Sequence, residues 1–146
     1  GITSKITDKS EKSLKVQITI AANATLGTRT VLVTTPSECA EATFRVTLGP
    51  SMVINPVSGR QGEVIEEVTI TGILTNFAKD KTKVKFGNNI EKDKKKIVDA
   101  NTITLKIKIG KKAEVGARTV TVTTGLGHDM KEVVTGTFIV LPAAGE

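Results

Sequence analysis

The sequence predicts an all-β protein built from short antiparallel strands. Apolar and polar residues alternate with a period of two along several segments, and no segment shows the period of a helix. The alternation is clearest in two segments, whose inward residues are Leu14, Val16, Ile18 and Ile20 in the first and Ile103, Leu105, Ile107 and Ile109 in the second. Turn-forming residues recur about every 8–12 positions, which is the spacing of a β-sandwich or barrel.

An internal repeat is the second observation. Residues 14–35 return as residues 103–124 at a constant offset of 89, so that Gly27 and Arg29 return as Gly116 and Arg118. A period this long indicates repetition of a whole small domain, not of a solenoid unit. We therefore predict that residues 1–49 are the C-terminal half of one repeat, that residues 50–142 are a complete repeat, and that residues 143–146 are a tail.

The predicted elements follow from the alternation and from the turn residues between them. In the first copy we expect about three strands, at residues 14–20, 30–35 and 43–48. The complete copy should hold about seven or eight strands, which begin near residues 52, 63, 83, 97, 102, 118 and 135. Turns are predicted at 55–59 and 125–129, and residues 87–89 (Gly-Asn-Asn) are typical of a hairpin. Phe44, Phe86 and Phe138 fall in the apolar phase and are predicted to be core residues.

Several of these segments resemble a known family. Residues 56–62 (Pro-Val-Ser-Gly-Arg-Gln-Gly), the strand at 68–72, and Asn76 with Phe77 resemble the opening of IPT/TIG domains. Residues 84–87 resemble that family's next strand, residues 115–124 its closing hairpin, and Phe138 its final strand. The resemblance covers residues 50–142 fully and residues 1–49 in their second half. It implies an immunoglobulin-like β-sandwich, with one complete copy preceded by the C-terminal half of another. Residues 73–75 make the spacing between Gly72 and Phe77 longer than is usual in the family.

Composition narrows the class of protein. The chain has a net charge of +6, one cysteine and neither tryptophan nor tyrosine. The lone Cys39 excludes an intrachain disulfide, and no apolar run approaches the ~20 residues of a membrane-spanning helix. The chain begins with Gly1 and carries no basic-then-apolar leader, which favours a processed or excised piece of a longer protein. The lack of tryptophan and tyrosine weighs against a sugar-binding platform.

The sequence contains no recognisable catalytic or metal-binding arrangement. His128 is the single histidine, so a multi-histidine metal site cannot form within one chain. Glu66 and Glu67 are adjacent, and a regular strand would send their side chains to opposite faces. Gly125 and Gly127 are not followed by a helical pattern, so a phosphate-binding loop is excluded. We predict that the protein is not an enzyme and carries no cofactor.

A cluster of lysines is the most prominent charged feature. Eight lysines fall within the 18 residues 79–96. Those predicted to form an anion-binding or partner-contacting patch are Lys83, Lys85, Lys92, Lys94, Lys95 and Lys96. Such a patch suits acidic polysaccharide or a phosphate backbone, although it lacks the arginines and stacking aromatics that nucleic-acid binders use. The other interpretation is a solvated face on which lysines prevent unwanted sheet pairing, and we rank it first.

The first copy should leave its apolar face without a second sheet. The residues that would line this possible assembly face are Leu14, Val16, Ile18, Ile20, Val31 and Val33, together with Phe44, Val46 and Leu48. Leaving these nine side chains in water would forfeit on the order of 10–20 kcal/mol of burial. We hypothesise that another protein segment covers the face, either an upstream part of the parent chain or a neighbouring subunit in strand complementation.

These observations predict a non-catalytic structural and interaction module of an extracellular or cell-surface assembly, such as a surface layer, a fibre or an adhesin-like protein. The alternative is a spacer or ligand-binding module of a larger secreted polysaccharide-active protein or receptor. A DNA-contacting domain that uses the lysines ranks third. The fold alone does not choose among these functions.

Overall fold

Short strands joined by tight turns account for the regular structure of the computed structural model, which describes residues 1–145. In chain order the strands are β1 (Ile2–Lys9), β2 (Leu14–Ile20), β3 (Gly27–Thr34), β4 (Cys39–Val46), β5 (Ser51–Asn55), β6 (Ser58–Arg60), β7 (Val64–Ile73), β8 (Thr82–Lys85), β9 (Ile90–Asp99), β10 (Thr102–Ile109), β11 (Gly116–Gly127) and β12 (Met130–Leu141). The chain divides into two units, Gly1–Leu48 and the residues from Gly49 onward. Each unit is described by itself.

The second unit consists of two four-stranded sheets. One sheet has the order β5-β7-β10-β9 and the other has the order β6-β12-β11-β8. All neighbours are antiparallel except β6, which runs parallel to β12. This order is the A-B-E-D and C-F-G arrangement of immunoglobulin constant-type domains, with β6 as an additional short edge strand. The predicted all-β, immunoglobulin-like β-sandwich is therefore confirmed.

The core of the second unit lies between the two sheets. Alternate residues of β10 and β11 point into it, and Ile103, Ile107 and Val120 are fully buried there. The rings of Phe86 and Phe138 meet edge to face, with their centroids 5.6 Å apart. Such aromatic pairs add stability beyond the apolar area that they bury. The predicted core positions of these two phenylalanines are thus confirmed.

The first unit consists of two separate hairpins. β1 pairs with β2, and β3 pairs with β4, each as a two-stranded antiparallel sheet. A turn held by a hydrogen bond from the Ser10 amide to the Ser13 carbonyl, at 2.8 Å, closes the first hairpin. Thr35 and Glu38 close the second in the same way. In the sandwich of the second unit these four strands correspond to β9, β10, β11 and β12.

Strand registers support this correspondence. Gly27 faces Val46 and Arg29 faces Phe44 in the first unit. Gly116 faces Val140 and Arg118 faces Phe138 in the second. Gly27 and Gly116 have φ angles of 121° and 118°, which an L side chain rarely adopts. Phe44 is therefore the structural equivalent of Phe138, although the two are not separated by the offset of 89.

The structure differs from the sequence-based prediction at three elements. The first unit has a fourth strand, β1, where mixed polar and apolar residues gave little alternation. Residues 87–89 do not form a hairpin, because β8 and β9 belong to different sheets and the segment crosses between them. Ser58 and Gly59 belong to β6 instead of a turn. The hairpin at 125–129 does form, with the two-residue turn His128-Asp129 at φ angles of 47° and 60°, as a type I′ turn requires.

Candidate functional site

An apolar concave surface lies in the first unit, between its two hairpins. The cleft has a volume of about 560 Å³. Apolar side chains of β1 and β2 form one wall, and β3 with Phe44 of β4 forms the other. Its apolar lining residues are Ile2, Ile6, Leu14, Val16, Ile18, Val31, Leu32, Val33 and Phe44. Five of the six residues predicted as an assembly face line this cleft, and the sixth, Ile20, lies on the same strand face.

Equivalent residues of the two repeats differ sharply in exposure. Ile18 of β2 is 39% exposed, whereas its equivalent Ile107 is 0% exposed. Val31 of β3 is 37% exposed, whereas Val120 is 0% exposed. The same contrast holds at the other four positions of the predicted assembly face. Because both copies carry aliphatic residues at these positions, their sequences do not explain the difference. The difference instead follows the neighbouring strands: β10 and β11 pair with β7 and β8, and the first unit has no equivalents of these two strands within residues 1–145.

The edges beside the cleft are unpaired. In the second unit β10 pairs with β7 as well as β9, and β11 pairs with β8 as well as β12. Within residues 1–145, β2 and β3 each have one neighbour and therefore present a row of unpaired backbone donors and acceptors. An exposed strand edge with an apolar face is a template for pairing with another strand. The cleft thus combines apolar surface with backbone hydrogen-bonding capacity.

Phe44 and Arg29 both line the cleft. Phe138, the equivalent of Phe44, packs against Phe86 of the covering half. Arg118 donates to Glu114 at 2.9 Å and to the Asn88 carbonyl at 3.4 Å. Arg29 instead donates to the Thr25 carbonyl at 2.8 Å, its one side-chain hydrogen bond within residues 1–145. Both residues therefore lie where a covering segment places contacts in the complete repeat.

The structure brings together four of the six lysines predicted as a patch. Lys83, Lys85, Lys92 and Lys95 line a groove of about 290 Å³ between the edges of β8 and β9, with Val84 and Leu105 beneath them. The Lys92 ammonium donates to the Val84 carbonyl at 2.6 Å, and the Lys95 ammonium donates to the Thr82 carbonyl at 2.5 Å. These two lysines thereby occupy acceptors on the unpaired edge of β8. This geometry supports the edge-protecting interpretation.

A β-bulge is what brings Lys92 and Lys95 to the same side. Residues three apart on a regular strand point to opposite faces. In β9 one extra residue stands between the pairs Thr104–Lys96 and Lys106–Asp93. Lys94 has a φ of 51° at this point. The bulge shifts the phase of the strand by one residue, which turns Lys95 toward β8. The lysines therefore lie within β9, which begins at Ile90, so the predicted strand start near residue 97 was wrong.

Glu66 of β7 forms an ion pair with Lys106 of β10. The Lys106 ammonium lies 2.8 Å from a Glu66 carboxylate oxygen. This hydrogen bond, with smaller contributions from the charges of Lys106 and Lys94, holds the pKa of Glu66 below its usual value. Lys94 does not line the groove that Lys92 and Lys95 close.

Other candidate groups remain isolated. Among residues 1–145, no three histidine, cysteine, aspartate or glutamate side chains lie close enough together to hold a metal ion. Cys39 is exposed at the start of β4. A search for helices of the length and apolarity that cross a membrane finds none in the described residues.

Comparison with known proteins adds little to this geometry. No protein-family model matches the chain, and no curated protein matches it. The IPT/TIG resemblance therefore stays a prediction. Among solved structures, the BIgI domain of the beta protein from S. agalactiae, bound to CEACAM1, is similar at 20% identity over 66% of this chain and 99% of that chain, with a TM-score of 0.41. At this TM-score the similarity carries no weight, and the fold assignment rests on the strand order.

Sequence reasoning missed the contribution of β1 to the cleft. Ile2 and Ile6 lie on the cleft face of β1, opposite Ile20 and Val16 of β2. Apolar residues at positions 2 and 6 fit the period-two pattern of a strand. The polar Ser4 interrupts that pattern, and the charged residues Lys5 and Asp8 obscure it further. A search for short strands paired to the clear strand at 14–20 could have found it.

Proposed function

We propose that this chain is a non-catalytic structural and interaction module of an extracellular or cell-surface assembly, and that the first unit supplies its binding surface. The observation that carries this proposal is the apolar cleft with two unpaired strand edges. Large apolar surfaces that stay exposed on a folded protein mark interaction sites. A protein partner suits the cleft because only a polypeptide backbone supplies hydrogen bonds along a whole strand edge.

The lysine groove supports a different role. Lys92 and Lys95 are engaged with the carbonyls of β8, so their charges face their own sheet edge instead of an external anion. The second unit accordingly has a protected edge, as expected of a rigid module that does not self-pair. Binding of DNA or acidic polysaccharide receives no support from this arrangement.

Thiol labelling on intact cells tests the proposal. In a Cys39→Ser background, Ile18→Cys places a thiol in the cleft, and Thr19→Cys places one on the opposite face of the same strand. A membrane-impermeant maleimide should label position 19 on intact cells and leave position 18 unlabelled until the protein is denatured. This result requires both surface location and a covered cleft.

Two other results would contradict the proposal. Equal labelling of both positions on intact cells would mean that the cleft is open in the native setting. Labelling of position 19 only after cell lysis would exclude a surface location. Labelling of the purified chain provides the reference, because both positions should react there.

A further inference from the structure

The repeat itself shows what kind of segment fits the cleft. In the second unit the strands that pair with the remaining edges of β10 and β11 are β7 and β8, which belong to the first half of the same repeat. β2 and β3 are the equivalents of β10 and β11 and lack such neighbours within residues 1–145. We propose that the cleft is occupied by a polypeptide segment with the strand pattern of β5 to β8, which is the first half of an immunoglobulin-like repeat. This inference rests on the proposed function and names the partner of the same surface.

The register of the complete repeat specifies the pairing. Ile70 faces Ile103 and Val68 faces Leu105 across the β7–β10 pair. The equivalent positions on β2 are Leu14 and Val16. The occupant's longer strand therefore runs antiparallel to β2 and sets alternate apolar residues against these two side chains. A mismatch of one residue would turn its apolar face outward, so the fit depends on register.

The second strand of the occupant follows in the same way. Val84 of β8 faces Val122 of β11, and the equivalent of Val122 is Val33. The occupant thus pairs a short strand with β3 and places one aliphatic residue opposite Val33. Just beyond it, an aromatic residue in the position of Phe86 would meet Phe44, as Phe86 meets Phe138.

Arg29 supplies an independent polar requirement. Arg118 takes the Asn88 carbonyl, from the connection between β8 and β9, as one of its two acceptors. A first-half segment ends with the same connection and would bring a carbonyl to Arg29. An apolar small molecule would cover the aliphatic residues without supplying this acceptor.

The test is an extension of the full chain by its own strands. Ile2 faces Ile20 as Ile90 faces Ile109, so Gly1 occupies the position of Asn89. A second copy of residues 50–88 is therefore fused directly before Gly1. Amide hydrogen exchange is measured for β2 and β3, with β10 and β11 as internal references. We expect exchange in β2 and β3 to slow by at least about tenfold, toward the rates of their equivalents, because paired core strands open rarely.

Matched variants keep the test specific. Val68→Asp with Ile70→Asp in the added copy places two charges on the inner face and should abolish the protection. Thr69→Asp with Thr71→Asp in the added copy places the same charges on the outer face and should preserve it. Unchanged fast exchange in the extended chain would overturn the proposal.

A second outcome would also overturn it. If the unextended chain already protects β2 and β3 and has twice the mass of a single chain by light scattering, the occupant is a second copy. Neither of these failures would decide the labelling experiment on cells, because that experiment detects coverage of the cleft by any protein. The two proposals can therefore fail separately.

Discussion

The two repeats carry aliphatic residues at equivalent inward positions of two strands and differ in what covers them. Ile103, Leu105, Ile107 and Ile109 are at most 2% exposed, whereas Leu14, Val16, Ile18 and Ile20 are 39–46% exposed. Complete burial of an aliphatic side chain is worth roughly 1.5–3 kcal/mol, so each first-unit residue leaves about 1 kcal/mol unrealised. Alternation thus determines which face of a strand is apolar, and the neighbouring strands determine whether that face is dry.

Truncation of one equivalent isoleucine in each repeat tests this difference most directly. Ile107→Ala should destabilise the second unit by about 2–5 kcal/mol, because it leaves a cavity in a packed core. Ile18→Ala should cost less than about 1 kcal/mol, because its side chain already contacts water on one side. Denaturant unfolding followed by circular dichroism, with hydrogen exchange to resolve the two units, measures both. Equal losses would mean that the cleft is closed in solution.

A buried carboxylate gives the next largest contrast. Glu132 is 8% exposed and accepts hydrogen bonds from the backbone and side-chain nitrogens of Asn76, both at 2.9 Å. By strand register its equivalent in the first unit is Glu38, which is exposed. Glu132→Ala should cost about 1–3 kcal/mol, because it leaves the Asn76 amide without its partner.

Glu38→Ala is the matched control and should change stability by less than about 0.5 kcal/mol. Thermal unfolding of both variants at neutral pH provides the comparison. A loss at Glu38 as large as that at Glu132 would show that the first unit holds a similar network when folded in solution.

Edge protection is the third contrast. Lys92→Thr with Lys95→Thr removes the two ammoniums from the carbonyls of β8, so the edge of the second unit should begin to self-pair. Light scattering at increasing concentration should show more association for this double variant than for the parent chain, whose own association through the cleft sets the baseline. Lys94→Thr with Lys96→Thr makes the same change in net charge without uncapping the edge. If both double variants associate equally, charge alone is responsible.

The smallest effect concerns the ion pair between Glu66 and Lys106. The pKa of the Glu66 carboxyl is lowered in the folded chain. The ion pair therefore stabilises the fold at pH values above the unfolded pKa of Glu66, and this stabilisation is lost as the pH falls through the folded pKa. Lys106→Met should raise the pKa of Glu66 toward its ordinary value. Carboxyl chemical shifts in an NMR pH titration measure the change.

Much of the fold could be predicted from local sequence. Period-two alternation located β2 and β10, whereas the predicted starts of β3 and β11, at residues 30 and 118, were two or three residues late, because these strands begin at Gly27 and Gly116. Position 94 shows the limit of this approach. A β-bulge is one extra residue relative to a partner strand, so nothing within residues 92–96 alone reveals that Lys95 faces the same side as Lys92.

The candidate site was also predictable only in part, because local sequence shows which residues are apolar and does not show which strands lie next to them. The apolar faces of β2 and β3 were clear from the sequence, because the alternation marks them. Their coverage was not, since it depends on strands distant in sequence. Glu132 is an instructive case, because its equivalent Glu38 is the same residue type in the same register and yet is exposed.

The β11–β12 hairpin extends the comparison to variation among repeats. Its strands keep the register of β3 and β4, yet five more residues separate Phe138 from Arg118 than separate Phe44 from Arg29. All of the added length lies beyond the pairs that the two repeats share, toward the type I′ turn at His128 and Asp129. Insertions at this tip therefore leave the packing between the sheets unchanged. In antibody variable domains the corresponding F–G loop carries the diversity of recognition, and here too the hairpin tip is where new sequence can accumulate at least expense to folding.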